Sequence, residues 1–82
     1  MKLKVILESY DSDNISGVSV HLTVPEYDYI ETGQETDLSG VAEFDLPQTF
    51  SDEMFVYIHV NGLKKWADYV PSRGDTIYIR WS

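Results

Sequence analysis

Cysteine is missing from this 82-residue chain. Its absence excludes a disulfide framework, a thiolate metal centre and a cysteine nucleophile. It fits a reducing compartment, although bacterial extracellular domains also do without cysteine. Long apolar runs are missing too. None approaches the roughly 20 residues that cross a bilayer as a helix, so membrane insertion is not expected. The opening MKLKVILES has a basic start but no long apolar stretch and no small-residue cleavage site. It reads as a strand and not as a signal peptide. The localisation stays open between a cytoplasmic protein and a domain excised from a longer extracellular one.

Basic charge is scarce. The formal net charge is −8, and it is unevenly spread. Residues 1–50 hold ten acids against Lys2 and Lys4, whereas residues 51–82 balance four acids with four bases. An acidic body repels phosphate backbones and anionic lipid, so nucleic acid is not an expected partner. Helical periodicity is the last absence, since no segment carries it over three turns.

What is present is alternation with a period of two, the strand signal. Leu3, Val5 and Leu7 alternate with polar or exposed positions, as do Val18, Val20, Leu22 and Val24. Pro25 ends the second run because it cannot donate to a ladder. Tyr27 to Thr32 reads as a weaker strand. Asp37-Leu38-Ser39-Gly40 has the Asp-first, Gly-last pattern of a type I turn. Ala42, Phe44 and Leu46 then face inward up to Pro47, and Gln48 to Glu53 reads as a loop. Met54, Val56, Ile58 and Val60 form the longest apolar face, opposite Phe55, Tyr57, His59 and Asn61. Asn61-Gly62 is a strong turn dipeptide. Lys64-Lys65 reads as a soluble connection, followed by a short strand from Trp66 to Val70. Arg73-Gly74-Asp75 turns the chain into Ile77, Ile79 and Trp81, with Tyr78 and Arg80 outward. Six or seven short strands separated by turns predict an all-β fold, a sandwich or small barrel, as one domain over residues 1–82.

Three stretches carry a family resemblance. A strand, a turn ending in Gly17 and then GVSVHLTV resemble the opening of carboxypeptidase regulatory-like domains. Thr36 to Pro47, TDLSGVAEFDLP, resembles their central turn-strand unit. MFVYIHV, Asn61-Gly62 and YVPSRGDTIYIRW complete a likeness that spans almost the whole chain. The resemblance implies a transthyretin-like, Ig-like Greek-key β-sandwich of six or seven strands. Such domains accompany enzymes, adhesins or transporters without doing chemistry themselves, so an enzyme is not expected. A related group forms Lys–Asn isopeptide bonds. Lys2 or Lys4 would serve here, but TIYIRWS offers no Asn or Asp in the last strand.

The candidate sites are few. DSDNISG, residues 11–17, places Asp11 and Asp13 where a calcium loop has its first two ligands. Ile15 stands where the next oxygen is required, and no Glu follows at the right distance. The stretch therefore reads as a hairpin turn, with weak calcium binding at Asp11 and Asp13 left open. His21 and His59 fall on outward strand faces and read as surface residues, because zinc needs three or four convergent ligands. No GxSxG elbow is present. No catalytic residue, metal centre or cofactor is assigned. RGD at residues 73–75 reads as turn chemistry. Glu26 to Asp37, EYDYIETGQETD, reads as a solvated strand and loop, or else an acidic docking surface.

The outward aromatics carry the functional expectation. Tyr57, His59, Tyr78 and Arg80 would share one face if the Met54–Asn61 and Thr76–Trp81 strands lay in one sheet. The leading expectation is a non-catalytic module for protein–protein interaction or structural support, with a protein partner or self-association. A carbohydrate-binding accessory domain is second, and a small acidic inhibitor mimicking nucleic-acid charge is third.

Overall fold

Every segment that alternates cleanly in sequence is a strand in the structure. The computed structural model describes residues 2–9, 15–50, 53–70 and 76–81. Among these, seven strands occur: β1 (Lys2–Glu8), β2 (Ser19–Val24), β3 (Tyr29–Glu35), β4 (Val41–Asp45), β5 (Phe55–Val60), β6 (Leu63–Tyr69) and β7 (Thr76–Arg80). They form a three-stranded sheet in the order β4-β1-β7 and a four-stranded sheet in the order β3-β2-β5-β6. The β1–β7 pair is parallel, and the other four pairs are antiparallel. The apolar faces of both sheets meet in one cluster, as in a β-sandwich. Leu3, Phe44 and Ile77 from the smaller sheet are fully buried, as are Leu22, Met54 and Ile58 from the larger side.

Only two connections are hairpins within a sheet. Asn61 and Gly62 join β5 to β6, with φ of 50° and 81°. Both positive angles are those of the two-residue turn whose twist matches paired strands. Between β2 and β3 the chain makes a 3₁₀ turn at Pro25–Tyr27 and leaves it through Asp28 at φ 51°. The strand expected from Tyr27 therefore starts at Tyr29, because Pro25 and the left-handed Asp28 hold the preceding residues in a turn. The strand expected from Trp66 instead starts at Leu63. Lys64 and Lys65 belong to it, since the two-residue turn starts pairing at once.

The other four connections pass from one sheet to the other. This corrects the reading of residues 11–17 as a hairpin turn, because β1 and β2 lie in different sheets. Asp11, Asp13 and Asn14 lie outside the described residues, and so does the calcium question they raised. The RGD tripeptide at 73–75 lies outside them as well. Ile15 packs partly buried against the core, and Gly17 has φ 68°.

The turn between β3 and β4 explains Thr36, Asp37 and Gly40 of the TDLSG stretch. Gly40 N–H closes it on the Asp37 carbonyl at 3.0 Å. The Asp37 carboxylate accepts from the Ser39 and Val41 amides at 2.8 and 3.0 Å. Gly40 has φ 81°, and a Cβ there would stand 3.1 Å from the Leu7 carbonyl oxygen and 3.2 Å from Ile15. Both its conformation and its surroundings require glycine. Thr36 is the one buried polar side chain among the described residues. Its hydroxyl accepts from Val18 N–H at 2.9 Å and donates to the Ile15 carbonyl. That pair of bonds ties the sheet-crossing chain after β1 to the turn before β4.

Candidate functional site

The outer face of the four-stranded sheet is built by strand alternation. Burial of Val20, Leu22 and Val24 sends Ser19, His21 and Thr23 outward. Burial of Val56, Ile58 and Val60 does the same for Phe55, Tyr57 and His59. Register then sets the rows across the sheet. Ile30, Thr23, Tyr57 and Ala67 form one row, and His21, His59 and Lys64 form the next. Phe55 stands opposite Tyr69.

The aromatic residues of this face touch. Phe55 meets Tyr57 edge-to-face with centroids 5.2 Å apart, and meets Tyr69 the same way at 5.3 Å. The Lys64 ammonium lies over the Tyr57 ring, 5.2 Å from its centroid, a distance at which a cation is attracted by the ring. Tyr69 and Ile30 remain 61% and 66% exposed, so the cluster is open to solvent. His21 and His59 are half-buried, and a hydrogen bond of 3.1 Å joins Ser19 Oγ to His21 Nε2.

The four candidate residues are therefore split two and two. Tyr57 and His59 stand on β5, whereas Tyr78 and Arg80 stand on β7 in the other sheet. The outer faces of a sandwich point in opposite directions, so the shared face expected for Tyr57 and Tyr78 does not form. β7 takes its place beside β1, where Tyr78 is opposite Ile6 and Arg80 opposite Glu8. On that smaller sheet Lys2 faces Asp45 and Lys4 faces Glu43 across the β1–β4 pair. The two lysines of the isopeptide question are thus on an outer face and not in the core.

Phe55 and Tyr57 were legible as outward residues, but Tyr69 was not legible as the neighbour of Phe55, nor Lys64 as that of Tyr57. The Asn61-Gly62 signal identified the hairpin. A bulge at Lys65 then shifts the register between Ile58 and His59. Beyond that bulge Trp66 turns to the core side and Tyr69 outward.

The acidic stretch Glu26 to Asp37 is engaged at several points. Tyr29, Glu31 and Gln34 pair with Val24, Leu22 and Val20 and so stand on the core side of the edge strand. Tyr29 donates to Glu31 Oε1 at 2.7 Å, and Gln34 donates to Glu31 Oε2 at 3.3 Å. Tyr27 stacks on Phe50 with centroids 4.0 Å apart, and Tyr29 meets the same ring edge-on at 5.3 Å. The hydrogen bond to Glu31 holds the Tyr29 phenol above its ordinary pKa, with burial and the charges of Glu31 and Asp45 acting the same way. Its neutral form is thereby favoured.

Among the described residues, no three of His, Asp and Glu converge as a metal centre. The chain matches no protein-family model, no curated protein and no solved structure.

Proposed function

We propose that this chain is a non-catalytic β-sandwich module that binds a protein surface through the outer face of its four-stranded sheet. The observation that carries the reading is the Phe55–Tyr57–Tyr69 cluster on that face. Tyr and Phe are enriched at protein interfaces because each brings a large area at low entropic cost. Three touching rings on rigid strands form a preorganised anchor of the kind that dominates binding energy. The two central strands send no acid to this face.

Two features favour protein over sugar as the ligand. The rings meet edge-to-face, which gives a knobbed surface and not a flat stacking platform. Tyr57 already has the Lys64 ammonium over its ring. Charge mimicry of nucleic acid ranks lower again. Glu31 is engaged by Tyr29 and Gln34, Asp37 closes a turn, and Glu43 and Asp45 face lysines.

The same proposal assigns the chain to the transthyretin-like Greek-key sandwiches, of the carboxypeptidase regulatory-like kind. Supporting it are the strand orders β4-β1-β7 and β3-β2-β5-β6, with the fourth strand returning beside the first. The Thr36–Gly40 turn, whose residues carried the resemblance, supports it too.

Solution mass by light scattering across a dilution series tests self-association first. A dimer that dissociates in Tyr57→Ala and Tyr69→Ala, but not in Tyr78→Ala, is the expected signature if the partner is a second copy. If the chain is monomeric throughout, the same three variants are compared in cross-linking to proteins of its source cell. Cross-links lost in Tyr78→Ala and retained in the Tyr57 and Tyr69 variants would overturn the assignment of the face.

A further inference from the structure

His21 and His59 are direct partners across the two central strands of the larger sheet, and both point outward. Directly opposed residues hold their Cβ atoms about 4.5–5.5 Å apart. Two imidazoles in that position can close on one ion, since nitrogen ligands sit about 2.0–2.1 Å from zinc. The Ser19 hydroxyl adds a second observation. In the tautomer whose Nε2–H donates to Ser19 Oγ, the neutral His21 ring keeps its Nδ1 lone pair for a ligand. A metal-bound histidine ordinarily uses its other ring nitrogen in this way.

The surroundings leave room for an ion. On the β3 side the strand bulges opposite His21, where Thr32 and Gly33 stand between the paired Glu31 and Gln34; Gly33 brings no side chain and has nothing within 4 Å of its Cβ position. On the β6 side Lys64 is the partner of His59, but its ammonium is drawn over Tyr57. We propose that His21 and His59 form a two-histidine surface site for a divalent first-row transition ion, with Ser19 orienting His21. Imidazole suits zinc, nickel and copper. Water, or a group from a bound partner, fills the remaining positions. The inference is independent of the aromatic cluster and stands or falls apart from it.

The test is calorimetric titration of Zn²⁺ into the untagged, chelator-stripped chain. Saturable binding in the micromolar range is expected. His21→Ala and His59→Ala should each weaken it by about tenfold or more, and Ser19→Ala by about tenfold. Circular dichroism of each variant without metal checks its fold. Ni²⁺ titration of the unsubstituted protein, followed by NMR, gives a readout that needs no variant: the His21 and His59 ring signals should broaden first. Absence of saturable Zn²⁺ binding, binding that survives both histidine variants, or broadening centred elsewhere would each overturn the site.

Discussion

At the scale of single residues, Thr36 matters more than its size suggests. It is 5% exposed, and its hydroxyl serves one amide and one carbonyl of the crossing chain. Thr36→Val keeps the shape and removes both bonds. The Val18 amide would then be buried without that partner. A loss of about 1–3 kcal/mol of stability is expected, as for an orphaned buried donor. Urea denaturation measures it, and a midpoint unchanged from the parent would show that water replaces the hydroxyl. Asp37 acts beside it in a complementary way, with an exposed carboxylate that holds the turn by two amides. Together these residues explain why TDLSG reads as a motif although it contains no chemistry. Thr36, Asp37 and Gly40 each answer a backbone requirement.

At the scale of elements, β6 is the strand with most to manage. It is an edge strand of seven residues, nearly all exposed. Exposed edges invite pairing with other chains, and natural proteins blunt them with lysine and bulges. β6 has both, with Lys64 and Lys65 in sequence and the register shift at Lys65 itself. Lys65 also lies over the Trp81 ring at 5.3 Å, so it covers the end of the sandwich. Replacing both lysines with threonine keeps the β propensity and removes the charge. Faster aggregation on mild heating, read by light scattering, is the expected result. Equal aggregation rates would mean that the bulge alone protects this edge.

At the scale of the whole molecule, charge opposes compactness. The net charge of −8 repels itself. Three opposite-charge pairs across the smaller sheet, Lys2–Asp45, Lys4–Glu43 and Glu8–Arg80, act the other way. Each such cross-strand pair contributes about 0.2–1 kcal/mol at most. Screening weakens attraction and repulsion alike, so the sign of the salt effect reports which is larger. The excess of acids lies outside these pairs. Stability should therefore rise as salt is raised from low to physiological levels at neutral pH. A urea midpoint that falls with salt would show that the cross-strand pairs outweigh the net repulsion.

The sequence by itself determined the strands, their inward faces and most of the turns. Alternation with a period of two is local: Leu3-Val5-Leu7 and Val56-Ile58-Val60 announce a buried face whatever they pair with. Pro25, Asp37 to Gly40 and Asn61-Gly62 likewise act through their own backbone angles. Which strands share a sheet was decided only in the tertiary structure. DSDNISG has the composition of a chain reversal, and the same composition suits a hairpin or a crossing between sheets. Nothing local placed β7 beside β1 in place of β5, so Tyr78 and Arg80 could not be separated from Tyr57 and His59. The bulge at Lys65 is the second such decision. One extra residue flips every side chain beyond it, so Trp66 packs inward and Tyr69 joins Phe55. Pairing and register depend on how two distant apolar faces fit around one core, and that information is spread over the whole chain.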